Sequence, residues 1–509
     1  MYLTGIFLSL LGLCHGANIL AIIPTPSFSH QTAFWPLWKQ LSLKGHNVTV
    51  VTTDPMNDPK LTNLTEINLH SAYELMDPVY QRMGTMDPLT TLKFFNQQMR
   101  LVMLHILDQE SVKELMKKDK RFDVVLVESL FPLFLAFGEK HRCTTILVSS
   151  LDALNYIHSY MGNLDHPVAS QNMLLPFYKD HTYKERLIST FFYVYGWYHK
   201  HFDYFPQMNK DIAKSFGEGM ITLQDMLNKV QMLFLNVHPA LNSPRLMGPS
   251  TIMFGGMVHL REPKPLPQDL QTFLDKGKEG VIYLSFGTNM KADRIHPEKK
   301  QILFKVLNSL PYKVLWKYEG QDFQEHPNIK YIKWSPQQDV LRHPNVKLFI
   351  TQGGLQSLEE AIYNGVPVVV LPFFGDQMSN GRKIEDRGIG KTVNHMESGL
   401  DENILRSTIL EVLHNDSYRQ NAEALRDIIL DEPMPGVDKA VWWTEYVIRN
   451  KGAQYLRMHS KDVPWYQYLM LDIFAFLTAV AVAVMTILYL AWRLLKLLVR
   501  LAFRKSKVD

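Results

Sequence analysis

Two consecutive glycines, Gly353-Gly354, follow the short apolar run Leu348 to Thr351 and precede Leu355 to Asn364, whose spacing is helical. A strand, a glycine turn and a helix in that order let backbone N–H groups approach a phosphate, and the helix N-terminus favours negative charge. Ser357, in the first helical turn, adds a hydroxyl donor. The next apolar run, Val366 to Pro372, ends in Phe373-Phe374-Gly375-Asp376-Gln377. Asp376 and Gln377 therefore stand at the carboxyl end of a parallel strand, where open α/β sheets bind ligands. These residue types and spacings describe a site for a phosphate-bearing ligand, spread over two strand-to-helix turns. A second chemistry sits near the other end of the chain. His30 lies in the loop Pro24-Thr-Pro26-Ser-Phe-Ser-His30, after the strand Ile19 to Ile23. An imidazole is the side chain most often used as a general base. Phe122 to Glu128 is another strand, and it ends in a carboxylate.

These groups need a scaffold of alternating strands and helices. Ile19 to Ile23, a helical stretch from Gln31 to Lys44, the break Gly45-His46 and the strand Val48 to Thr52 form a βαβ unit. Thr144 to Val148 is the next strand of that half. From Met161 to Met232 the pattern is irregular and rich in Met and aromatics, including Phe191-Phe-Tyr-Val-Tyr195, Trp197 and Tyr198. That region reads equally as a lipophilic pocket or as helical core. Three prolines in five residues, Pro263, Pro265 and Pro267, mark Arg261 to Pro267 as a stiff linker. Strand–helix units then resume, with Gly280 to Ser285 leading into Phe286-Gly287-Thr288 and with Lys313 to Lys317 as a later strand. A last helical run, Val437 to Lys451, carries Trp442-Trp443.

The chain has 509 residues, 46% hydrophobic and 20% charged, enough for two α/β domains with large cores. Its formal charge is +4, but Arg493 to Asp509 holds six basic residues and one acid, a local +5. The rest is close to −1, so the basic balance belongs to a tail and does not argue for nucleic-acid binding. Ile6 to Leu13 followed by Cys14-His15-Gly16-Ala17 reads as a secretory signal peptide. Ile473 to Trp492 is twenty residues without a charge, long enough to span a bilayer. The basic residues after it place the tail in the cytosol and residues 17–465 in the lumen, a single-pass type I arrangement. Lys505-Ser-Lys507-Val-Asp509 resembles the K-x-K-x-x retrieval signal of endoplasmic reticulum membrane proteins. Of two cysteines, Cys14 leaves with the leader and Cys143 remains alone. Glycosylation sequons occur at Asn47, Asn63 and Asn415; Asn47, beside the strand Val48 to Val51, is expected to be the least accessible.

The series Trp334-Ser-Pro336-Gln337, Thr351-Gln352-Gly353-Gly354, Glu360 and Gly375-Asp376-Gln377 resembles the signature of the UDP-glycosyltransferases, glycosyltransferase family 1. The wording Thr351-Gln-Gly-Gly-Leu-Gln-Ser357 and Trp443-Thr-Glu-Tyr446 is most similar to insect members. The resemblance implies an α/β fold of the GT-B type, two facing Rossmann-like domains plus one C-terminal transmembrane helix. On that basis residues 1–17 are a signal peptide, 18–260 an acceptor-binding domain, 261–465 a UDP-sugar-binding domain, 470–492 the span and 493–509 the tail. A late helix crosses back to brace the N-terminal domain in such proteins. The implied activity is detoxifying conjugation of a hexose from a UDP-sugar to hydroxyls of small lipophilic acceptors, inverting and without a metal. No D-x-D motif occurs, and the UDP-sugar is a co-substrate, so no cofactor is expected. Insect members chiefly use UDP-glucose, which favours glucose over glucuronic acid. Homo- or hetero-oligomer formation is left open.

The same resemblance assigns roles. His30 is the base, and Glu128 stands where the family has an aspartate that orients it; Asp123, at the beginning of the same strand, is the competing carboxylate and reads as structural. Trp334 stacks uracil with Gln337 beside it. Glu360 binds both ribose hydroxyls, and the helix phase turns its neighbour Glu359 to solvent. Asp376 and Gln377 hold sugar hydroxyls. Ser285, Thr288 and Ser357 hold the diphosphate together with the helix N-terminus after Gly353 and Gly354. Gln352 replaces the family's phosphate-contacting His, offering an amide donor but no charge. Arg245 and Lys317 occupy positions of basic donor contacts. The departures at Glu128 and Gln352 motivate the competing expectation of a non-catalytic member that binds ligand or partner glycosyltransferases without turnover.

Overall fold

The computed structural model describes residues 16–505 apart from 83–85, 118–120, 171, 180, 243, 292–293, 322–324 and 396–398. Residues 1–15 of the leader, with Cys14, and Lys507 of the tail lie outside them. The chain forms two compact units, one ending at Arg457 and one running from Met458.

The first unit is built on two wholly parallel sheets. Strands β1 (Asn18–Ile23), β2 (Asn47–Thr52), β3 (Leu64–Asn68), β4 (Val124–Glu128), β5 (Thr144–Ser149), β6 (Met232–Leu235) and β7 (Thr251–Met253) lie in the order β3-β2-β1-β4-β5-β6-β7. Strands β8 (Val281–Ser285), β9 (Lys313–Lys317), β10 (Ile329–Ile332), β11 (Val346–Thr351), β12 (Val368–Val370) and β13 (Gly390–Thr392) lie in the order β10-β9-β8-β11-β12-β13. The central strands are unbroken aliphatic runs, such as Val124-Val-Leu-Val127 and Val368-Val-Val370, and are buried on both faces. Continuous apolar strands are what a parallel sheet covered by helices on both sides requires.

Strand order reverses between β1 and β4 in the first sheet and between β8 and β11 in the second. Such a reversal opens a crevice at the carboxyl ends of the two strands, because their following helices leave on opposite faces. Ile22 pairs with Val127 at the first switch point, and Ser285 pairs with Thr351 at the second. Glu128 and Ser285 end strands at these points, and His30, Gly287–Thr288 and Gln352–Gly354 follow strands that end there.

One expected helix is divided. Gln31 to Lys44 reads as a single helix, but the chain forms Phe28–Thr32 and then Trp35–Leu43, with Pro36 in the first turn of the second. Proline is accepted at a helix start and not inside one, so the helix begins anew there. His30 consequently lies on a short helix and not in an open loop.

The helix Gly436–Arg449 returns to the first sheet. Ala440, Val441 and Val447 share a core with Trp38, Leu41 and Phe34, while Glu445 pairs with Lys44 at 3.2 Å and with His46 at 3.3 Å. The second unit contains the helix Leu471–Lys505, whose stretch Leu471–Leu501 includes an 18-residue window with a mean hydropathy of 2.5. At 1.5 Å per residue those 31 residues extend about 45 Å, more than the roughly 30 Å of a hydrocarbon core.

Candidate functional site

The first switch point presents a histidine over a buried carboxylate. The β1 exit is pinned by Gln31, whose amide donates to the carbonyls of Ile23 and Thr25 at 2.8 Å each and accepts from the Thr52 hydroxyl at 2.7 Å. The Thr25 N–H donates to Glu128 Oε2 at 3.2 Å. His30 Nδ1 lies 3.4 Å from Glu128 Oε1 and 2.5 Å from Ser150 Oγ. The carboxylate side chain is 1% exposed and the imidazole 16%, so one edge of the ring remains open to the cleft. Asp123, the competing carboxylate on the same strand, accepts the Asn18 N–H at 2.7 Å at the opposite end and takes no part here. Ser150 is a residue the sequence reading missed. Its signal was available: it follows the strand Thr144–Ser149, which pairs with the carboxylate strand β4.

The second switch point presents main chain and glycine. Gly353 has φ +90°, and a Cβ there would come within 2.7 Å of Val370 Cγ1, so only glycine fits between β11 and the helix Leu355–Tyr363. Gly287 has φ +76°, and a Cβ there would meet Gln352 Nε2 at 2.7 Å. Gln352 is thus wedged between the β8 and β11 turns, and its Oε1 is buried with no hydrogen-bond partner among the described residues. The Gly287 N–H donates to Ser285 Oγ at 3.3 Å, Thr288 follows in the same turn, and Lys317 donates to the Gly287 carbonyl at 3.0 Å. Lys317 also pairs with Glu319 and lies 5.8 Å from the Trp334 ring centre. Trp334 is 59% exposed and forms a T-shaped pair with Phe28, ring centres 5.7 Å apart, and Asn289 donates to Ser27 at 2.9 Å. The two halves therefore meet at this corner, leaving an indole face available for stacking.

Gln337, Ser357 and Glu360 form one network. Gln337 accepts from Tyr283 at 3.1 Å and donates to Ser357 Oγ at 2.9 Å and to Glu360 Oε2 at 2.6 Å. Gln338 donates to Glu360 Oε1 at 3.0 Å. The expected solvent face for Glu359 is wrong: its side chain is 0% exposed. The helix Leu355–Tyr363 is covered on nearly every side, and His259 lies between the two carboxylates, 3.4 Å from each.

Asp376 stands just before the helix Gln377–Asp386 in a half-buried position, makes no capping hydrogen bond, and accepts from Asn380 at 2.7 Å. Desolvation pushes its carboxyl up from the ordinary range, against Asn380 and the charges of Lys383 and His30. Gln377 is only partly available, because its Oε1 accepts the N–H groups of Phe373 at 2.8 Å and Phe374 at 3.1 Å, leaving its amide NH₂.

Arg245 is not drawn into this group. Its guanidinium lies 3.4 Å from Asp152 and 3.4 Å from the Leu164 carbonyl, on the first-sheet side. Asn47 is exposed, contrary to expectation, as the first residue of β2 with its amide on Asn18 at 3.1 Å; Asn63 and Asn415 are exposed as well. The Met161–Met232 region supplies core residues and also lines a cavity. Phe205, Met208 and Ile212 are core, while Phe192, Trp197, Lys200 and Tyr204 help line a cavity of about 230 Å³. Met173 lies on this cavity and also on a smaller one lined by Asp152, Asp376 and Lys383. Burial lowers the Lys200 ammonium to about 8, against the attraction of Asp165. Among the described residues no cluster of three His, Cys, Asp or Glu side chains is arranged to hold a metal ion.

A family model described as "UDP-glucoronosyl and UDP-glucosyl transferase" matches residues 19–507. The chain is 32% identical to UDP-glucosyltransferase 2 of Dactylopius coccus, covering 94% of this chain and 93% of that one. It is 30% identical to UDP-glucuronosyltransferase 1A7 of Mus musculus, covering 93% and 91%. Os79 of O. sativa, solved with U2F and a trichothecene, shares the fold with a TM-score of 0.59 at 18% identity, covering 84% of this chain and all of that one.

Proposed function

The chain belongs to the UDP-glucuronosyl/UDP-glucosyl transferase family and is a UDP-sugar-dependent hexosyltransferase; from that premise we propose that it transfers glucose from UDP-glucose to the hydroxyl of a small lipophilic acceptor, with inversion. The observation that carries this reading is the pairing of two switch points across one cleft, with a carboxylate-backed imidazole on one side and a Gly-Gly helix terminus on the other.

The acceptor enters from the cavity beside Phe192 and Trp197 and presents its hydroxyl to His30. His30 Nε2 takes the proton, which requires Nδ1 to carry its own and to donate towards Glu128 and Ser150. Glu128 then stabilises the imidazolium, as the third member of a triad does. The acceptor oxygen attacks the anomeric carbon from the face opposite UDP, so the C–O bond to UDP breaks as the new one forms. The leaving diphosphate is received by the helix terminus at Gly354, Ser357, Gln352 and the Ser285–Thr288 turn, with Lys317 alongside. Trp334 stacks on uracil, Glu360 takes the ribose diol, and Asp376 with the Gln377 amide orients the hexose.

The apolar helix Leu471–Leu501 anchors the enzyme in a membrane. We place that membrane in the endoplasmic reticulum with residues 17–465 in the lumen, on the basic residues that follow the span. Intact microsomes carrying the full chain test donor and topology together. Turnover of a generic phenol should be faster with UDP-glucose than with UDP-glucuronate, and added protease should remove only the tail. Faster turnover with UDP-glucuronate would reassign the donor, and loss of the folded unit to protease would reverse the topology.

A further inference from the structure

Glu359 is fully buried, and its oxygens have no hydrogen-bond partner among the described residues. A buried carboxylate needs a cation or a proton. The cation in reach is His259, 2% exposed, whose Nδ1 is 3.4 Å from Glu359 Oε2 and whose Nε2 is 3.4 Å from Glu360 Oε1. Both ring nitrogens face carboxylates at 3.4 Å, as ion pairs and not as hydrogen bonds, and two carboxylates so placed favour the imidazolium form. Its segment is where the chain passes between halves: Phe254 belongs to the core under the first sheet, and Leu260 packs against the core under the second. Gln338 ties the arrangement together, donating to Glu360 at 3.0 Å and to the His259 carbonyl at 3.5 Å.

We infer that His259 is a positioning residue for the donor: held by buried Glu359, its imidazolium fixes the Glu360 carboxylate in the orientation that accepts the ribose hydroxyls. The inference rests on the reading of Glu360 as the ribose ligand. Gln337, Gln338 and His259 together leave Glu360 little freedom to turn, so its remaining lone pairs keep one direction before the donor arrives.

Charge supports the geometry. Burial alone would lower the His259 pKa, but the two carboxylates outweigh it and raise it to about 10. A raised pKa means that the interaction is complete below the ordinary imidazole range and is lost as pH rises through about 10. The charged and titratable groups around it are Glu359 and Glu360, with His238 sensing Glu359 and Tyr283 sensing Glu360.

The test uses the full chain in detergent, with calorimetric affinities for UDP and 2′-deoxy-UDP between about pH 6 and pH 9, a range set below the raised pKa. Wild type should prefer UDP by about tenfold, one hydrogen bond to a charged group, at every pH in that range. His259→Gln should lose this preference, and its KM for UDP-glucose should rise while kcat at saturating donor stays within about twofold. Glu359→Gln should keep the preference at the acid end and lose it as pH rises past neutral, because one carboxylate no longer holds the imidazolium. A defect of folding alone would lower both affinities together and show no such pH dependence. Equal affinity of wild type for the two nucleotides would overturn the ribose reading itself. A wild type that discriminates, beside a His259→Gln or a Glu359→Gln that discriminates equally at all pH, would overturn the role of His259.

Discussion

His30→Ala should lower kcat by about 10²–10⁴-fold, the usual contribution of a general base, while UDP affinity stays at the wild-type level. The split follows from position. His30 sits at the first switch point, and the diphosphate groups sit at the second. Glu128→Gln should also slow turnover, since an amide cannot stabilise an imidazolium. The structure adds an internal contrast, because Ser150 Oγ is closer to Nδ1 than Glu128 is, at 2.5 Å against 3.4 Å. If Glu128→Gln turns over as wild type does, Ser150 is the group that sets the tautomer, and Ser150→Ala becomes the slow variant. Asp123 is no longer an alternative, being bound to the Asn18 N–H at the far end of β4. His30→Ala with more than about a tenth of wild-type turnover would remove the histidine from the mechanism.

Asp376→Ala should separate sugar from nucleotide. Free UDP should bind as in wild type, whereas UDP-glucose turnover should fall by about one to two decades, the worth of hydrogen bonds to a charged group. Asp376 accepts from Asn380 and has no hydrogen bond in the Gln337–Glu360 network among the described residues. Its raised pKa sets the sign of the pH effect. The carboxylate must be ionised to accept sugar hydroxyls, so the acid limb of kcat/KM for UDP-glucose should lie above the usual aspartate range. Asn380→Ala should move that limb higher still, since Asn380 favours the ionised form. Calorimetry with UDP beside initial rates with UDP-glucose measures both. Equal loss of UDP and UDP-glucose binding in Asp376→Ala would end the proposed division of the donor site.

Much of this was legible in the chain because it is local. Gly353-Gly354 after an apolar run specifies the turn and the helix start, and Asp376-Gln377 specifies the next strand end. Aliphatic runs specify buried parallel strands. What was not legible depends on partners distant in sequence. Glu359 looked solvent-facing by helix phase, yet His259 from the crossing segment makes a polar core there. Arg245 looked like a donor contact by position, yet Asp152 claims it. Ser150 reached His30 only because β5 pairs with β4 and β4 with β1. The break in the first helix was local, but Pro36 was read inside the helix and not as its beginning.

The anomeric configuration of the product is the most direct measurement of the central claim. UDP-glucose carries an α-linked sugar, and attack by a His30-activated hydroxyl opposite the diphosphate gives a β-glucoside with one UDP released per product. Full-chain enzyme, UDP-glucose and a panel of phenols, with the anomeric coupling read by NMR, should show that product alone. An α-glucoside, or tight UDP binding with no product from any acceptor in the panel, would contradict the account.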